Sequence, residues 1–177
     1  MESPYTTPSA AVESPVSSLV TERKEPYGLK GWIVLPIIGL TVSLIGLFFG
    51  LLTTYFPIFT DGTWEYLTDP SSEVYHSMWG PVLIYEAVGN VLFLLYTAAL
   101  LVMVFRKHYL FPKCMIIFYV ANIIFLVTDM ILVGFIPMMD EAGNAESLRD
   151  IVSAVVGAVI WIPYFLKSER VKNTFTP

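Results

Sequence analysis

The stretch from Trp79 to Phe105 is almost wholly apolar, yet Glu86 and Asn90 lie inside it one helical turn apart. A run of that length suits a helix that crosses a bilayer, whose hydrocarbon core is about 30 Å thick and takes about 20 residues at about 1.5 Å each. A carboxyl and a carboxamide are costly against lipid, so they are expected to face protein or water. A second stretch, Cys114 to Pro137, carries Asn122 and Asp129 in the same manner.

Two further runs complete the pattern, Trp32 to Tyr55 and Leu148 to Leu166. The expected fold is therefore all-α, an integral membrane bundle of four transmembrane helices. Only 14% of the residues are charged, against the usual quarter, and the apolar residues gather in these runs. No basic stripe with interleaved aromatics is present, so nucleic acid is not an expected partner. The single cysteine, Cys114, excludes an internal disulfide framework and a Cys-rich zinc site.

The first 26 residues are rich in Ser, Thr, Pro and Glu and are expected to form a disordered cytoplasmic tail, leaving residues 27–177 as the membrane domain. The start lacks the pattern of a secretory signal. In the first span Gly39, Ser43, Gly46 and Gly50 share one helical face, where small side chains would let another helix approach. Between the first two spans lie Asp61, Glu65, Asp69 and Glu73, without EF-hand spacing, so a solvated acidic loop is expected rather than a calcium site. The uncharged core of the last span, Ile151 to Leu166, is short for a bilayer, so Arg149 and Asp150 are expected to snorkel or find partners. Pro163 should kink its end.

Charge sets an expected orientation. Arg23, Lys24, Lys30, Arg106, Lys107, Lys113, Lys167, Arg170 and Lys172 fall on one side of a four-span chain, and Arg149 alone on the other. The positive-inside rule then puts both termini in the cytoplasm.

Two segments carry a family resemblance: Gly28-Leu29-Lys30-Gly31-Trp32-Ile33-Val34-Leu35-Pro36, and Trp161-Ile162-Pro163-Tyr164-Phe165-Leu166-Lys167 with the following Ser168 to Phe175. Together they resemble the bacterial inner-membrane family catalogued as domain of unknown function 2569. The resemblance implies a four-helix bacterial inner-membrane protein and carries over no catalytic residue. In the closing segment Trp161 and Tyr164 suit the inner headgroup layer, and Lys167, Arg170 and Lys172 suit anionic lipid. Anchoring is the reading of this motif, with a lipid or partner dock as the alternative.

The candidate polar cluster is Glu86, Asn90, Asn122, Asp129 and Arg149. Glu86 lies seven residues after Trp79, about 10 Å along the helix, and Asp129 eight residues before Pro137, about 12 Å. The two acids thus share a depth on antiparallel spans. Either they line a polar path for protons, cations or a small polar solute, or they fix helix register as hydrogen-bonded glue. Arg149, at the outer end of the fourth span, is expected to pair with one of them. Thr97 and Thr128 add hydroxyls nearby. His76 and His108 fall on opposite sides, and Cys114 near His108 has no orienting acid. No H-E-x-x-H, P-loop or G-x-S-x-G motif occurs. No catalytic, cofactor-binding or metal-binding residue, and no cofactor, is therefore expected. The leading expectation is a non-enzymatic membrane protein of structural, accessory or regulatory kind, whose partners are lipid and a second copy or another membrane protein. The alternative is a proton- or cation-coupled transporter or channel subunit.

Overall fold

The computed structural model describes residues 26–136 and 141–176, with the backbone alone for 141–144. The expected tail lies outside the described residues. Among the described residues, four helices are long and apolar enough to cross a membrane.

The first spans Gly31–Thr60. A 3-10 turn, Gly31–Ile33, leads into α1, Val34–Gly50, then a π-helical turn, Leu51–Tyr55, and α2, Phe56–Thr60. The π turn has a local cause. Pro57 has no N–H to give to the Thr53 carbonyl, and the backbone reaches it in a wider register, with the Phe56 N–H on the Leu51 carbonyl. The helix consequently runs past Tyr55, where the apolar run was expected to end, and Tyr55 is a mid-helix residue.

Helix α3, Thr63–Thr68, lies against α4, Trp79–Phe105. In the connecting loop Asp69 accepts the Ser71 N–H and hydroxyl, both at 2.8 Å, and these bonds hold its carboxyl below the ordinary range. A lowered carboxyl favours the ordered loop above the ordinary Asp range and loses that effect as pH falls through the folded value.

Helix α4 ends in a Schellman motif: the His108 N–H bonds the Met103 carbonyl at 2.9 Å and the Lys107 N–H the Val104 carbonyl at 3.0 Å. The motif places Lys107 at φ 52, a position where glycine is usual. Helix α5, Phe111–Val133, starts with Pro112 in its first turn, where a missing N–H costs least. Its Ile117, Ile124 and Ile131 recur every seven residues and expose 58%, 60% and 58% of their surface, which marks an outward-facing apolar stripe. Helix α6, Glu141–Lys167, begins well before Leu148 and continues through Pro163, so the helix extends beyond the short uncharged core, Ile151 to Leu166. Helix α7, Glu169–Thr174, is capped by the Ser168 hydroxyl.

The packed neighbours are α1 with α4, α4 with α5, and α5 with α6, whereas α1 and α6 are not among the packed pairs. The segments that precede α1 and follow α6 are tied together at one end. There the Gly28 N–H donates to the buried Thr174 hydroxyl at 2.9 Å, and the Arg170 guanidinium to the Tyr27 carbonyl at 3.0 Å. The Lys107 ammonium donates to the Tyr27 hydroxyl at 3.1 Å and stands over its ring. The left-handed backbone of Lys107 thus serves a contact that glycine could not make. Beneath this clasp Ile33, Leu40, Leu100, Val104, Phe111, Phe165 and Phe175 form the main buried core. The segments that carry the family resemblance are the ones that meet here. Arg170, expected on lipid, is instead turned inward onto the chain. We call this the basic end, since Lys30, Arg106, Lys113, Lys167 and Lys172 surround it, and the opposite one, with Asp61, Glu65, Asp69 and Glu73, the acidic end.

Candidate functional site

The π turn delivers Tyr55 to α4. Its hydroxyl donates to Glu86 Oε2 at 3.1 Å and accepts from Asn90 Nδ2 at 3.1 Å, and the same Nδ2 lies 2.8 Å from the Glu86 carbonyl oxygen. Asp129 on α5 lies beside Glu86. Two carboxylates have no donor between them, so they can hydrogen-bond to one another only by sharing a proton. Asp129 Oδ1 is buried with no hydrogen-bond partner among the described residues. A buried acceptor left open in this way is costly unless something else visits it.

Toward the middle of the bundle the cluster borders a cavity of about 480 Å³ among α1, α4, α5 and α6. Asn90 belongs to both. Asn122, Ser43, Ser153 and Tyr119 bring the other polar side chains to the wall, and Phe93, Phe118 and Phe125 much of the rest. The volume falls within the about 300–1,000 Å³ typical of small-molecule sites. Toward the basic end the buried core closes the bundle with Leu100, Val104, Phe111 and Phe165.

The structure thus brings Glu86, Asn90 and Asp129 together and sets Asn122 on the cavity wall. It does not bring Arg149 to the acids. Arg149 is exposed, the one ion pair among the described residues is Lys172 with Glu169, and the Arg149 carbonyl accepts from Ser153 Oγ at 2.9 Å. Thr128 bonds its own backbone at Ile124, and Thr97 is buried with an unpartnered hydroxyl. Among the described residues of this chain, a Cβ added at Gly39, Gly46 or Gly50 would meet nothing within 4 Å. Ser43 and Gly46 border the cavity instead. The close approach is at Gly89, whose added Cβ would run into the Phe125 ring, with Cζ at 2.6 Å.

Sequence reasoning missed Tyr55, Tyr119 and Ser153. Tyr55 sat at the end of an apolar run, where an aromatic reads as a headgroup anchor. The signal available was Pro57, two residues on, which forces the backbone out of α register before it.

The family model described as Protein of unknown function (DUF2569) matches residues 26–176. No curated protein sequence and no solved structure matches the chain. The chain belongs to that family, and its matched region takes in both clasped segments and all four long helices.

Proposed function

We propose that this family member is a proton-linked permease, or a permease subunit, in which the Glu86–Asp129 pair carries the proton and the central cavity holds the solute. One observation carries the reading: a buried, unpartnered Asp129 oxygen beside Glu86. Hydrogen-bonded glue would be expected to satisfy its groups, whereas a proton carrier needs an open acceptor and an exchangeable proton. Asn90 links the pair to the cavity wall, so occupancy of one can be felt by the other. The reading replaces the accessory role as the leading one, because such a role makes no use of a cavity.

The test is voltage-driven proton uptake into vesicles of purified protein that contain a pH-sensitive dye. Wild-type vesicles should acidify faster than protein-free ones. The Glu86→Gln/Asp129→Asn double variant should assemble normally and fall to the protein-free rate. Wild-type uptake no faster than the protein-free rate would overturn the reading. Unfolding of the double variant in that same case would return the pair to a structural role.

The same reading places the basic end in the cytoplasm and the protein in a bacterial inner membrane. The segregation of the basic residues supports the orientation, and the family resemblance supports the setting. In a Cys114→Ser background, single cysteines at Ser72 and Gly143 should react with an impermeant thiol reagent in intact cells, and one at Ser168 should not. The reverse pattern would invert the topology.

A further inference from the structure

We infer that the central cavity binds an uncharged amphiphile, a molecule with a hydroxyl- or amide-type head and an apolar body, which enters sideways from the bilayer between α1 and α6.

The head group is argued from the hydrogen bonds left open. Among the described residues, no Asp, Glu, Lys, Arg or His lines the cavity. A fixed charge brought there would be desolvated without a counter-charge, which is prohibitive in the middle of a membrane. The Asn90 amide nitrogen already serves the Tyr55 hydroxyl and the Glu86 carbonyl, so toward the cavity Asn90 has its carbonyl oxygen to offer. Asn122 has no hydrogen-bond partner among the described residues, so its donors and its acceptor are both available. The wall therefore suits a head that both donates and accepts. The apolar body is argued from the rings of Phe93, Phe118 and Phe125 beside these amides.

The route is argued from what closes each side. Toward the basic end lie buried apolar side chains and the clasp, and toward the acidic end lies the Tyr55–Glu86–Asn90 network. The lateral wall is different. Helices α1 and α6 are not a packed pair, and where they flank the cavity they carry Ser43 and Gly46 on one side and Ser153, Ala154 and Gly157 on the other. A Cβ added at Gly46 would meet nothing within 4 Å, and one at Gly157 would only touch Tyr119 at 4.0 Å. A solute that dissolves in lipid can use this seam, whereas a hydrated ion or a sugar would have to shed its water first.

As a transported substrate this ligand rests on the permease reading, but its binding is tested separately. The full-length protein is reconstituted in phosphatidylcholine vesicles and photolabelled with a diazirine-bearing fatty alcohol, and the labelled residues are mapped by mass spectrometry. Saturable labelling is expected on the cavity side of α5, competed by unlabelled hexadecanol and not by hexadecyltrimethylammonium. Asn122→Leu should weaken it about tenfold, as loss of one hydrogen bond in a shielded site would. Gly46→Phe should abolish it by filling the seam, with an unchanged melting temperature because the added side chain enters open space.

Non-saturable labelling confined to lipid-facing residues such as Ile124 and Ile131 would overturn the site. Competition by the ammonium amphiphile alone would overturn the class of ligand. A disulfide between copies of the Cys114→Ser/Gly46→Cys variant on mild oxidation, without cavity labelling of the parent, would mean that a second chain fills the seam and would overturn the route. Absent labelling with proton uptake intact sinks this inference and leaves the permease. Saturable labelling without uptake does the opposite.

Discussion

Gly89→Leu is expected to break the α4–α5 pairing, and even Gly89→Ala to lower stability by about 1–3 kcal/mol, the usual range for overpacking. The added Cβ meets the Phe125 ring far inside contact distance at Cε2, with Cζ at 2.6 Å and Cδ2 at 3.1 Å. A ring at the end of a free side chain would swing away at little cost, but this one is held. Phe125 stacks on Tyr85 with centroids 4.9 Å apart and leans on Phe93 at 5.3 Å. The Tyr85 hydroxyl in turn donates to the Phe125 carbonyl at 3.2 Å, which ties the stack to the α5 backbone. Since α4 and α5 carry Glu86 and Asp129, a wedge at Gly89 also parts the acids. Thermal melting in detergent, with proton uptake in parallel, measures both effects. Phe125→Ala added to Gly89→Ala should recover much of the loss, so the pair should be strongly non-additive. Additive changes would mean that the ring is not what Gly89 accommodates.

What could be read from the sequence divides along a physical line. Quantities that depend on distance along a helix were legible. The bounds of α4 follow from its uninterrupted apolar run, and the equal depth of Glu86 and Asp129 from counting residues on antiparallel helices. Quantities that depend on rotation about a helix axis were not. The stripe of Gly39, Ser43, Gly46 and Gly50 predicted a face for another helix of this chain or of a neighbour, but small residues permit a close approach without specifying one, and within the chain Ser43 and Gly46 border a cavity. Gly89 was hidden between Glu86 and Asn90, with no periodic partner to mark it. Tyr55 reaches Glu86 because a π turn re-aims it, and a count at 3.6 residues per turn cannot foresee that. Arg149 failed for a different reason, an exception along the helix: α6 begins earlier than its apolar run, so Arg149 stands on an exposed stretch of helix. The motifs behind the resemblance were legible as sequence, but their common role, tying Gly28 to Thr174 and Tyr27 to Arg170, needs contacts across nearly the whole chain.

Phe111→Ala is expected to have the largest effect on stability of any single truncation in the molecule, about 3–5 kcal/mol. Phe111 is fully buried at the start of α5, with its ring 5.8 Å from that of Phe165 near the end of α6 and 4.8 Å from that of Phe175 just past α7. It therefore joins three elements, and a void there cannot be filled by one neighbour moving. The position also decides what the loss does. Phe111 belongs to the core that separates the cavity from the basic end, and the clasp above it holds α1 to the chain's last helix. Removing the ring should loosen both, so a path should open between cavity and water on that side. A cysteine at Asn122, in a Cys114→Ser background, reports it: inert to an impermeant thiol reagent presented at the basic end in the parent, reactive after Phe111→Ala. Phe111→Leu keeps most of the volume and should restore stability and silence the reporter together. If the Ala variant melts at a lower temperature while the reporter stays silent, Phe111 is a packing residue alone and the barrier lies deeper, at Leu100 and Val104. If the reporter reacts in the parent as well, the apolar core is not a barrier, and the cavity already communicates with the basic end.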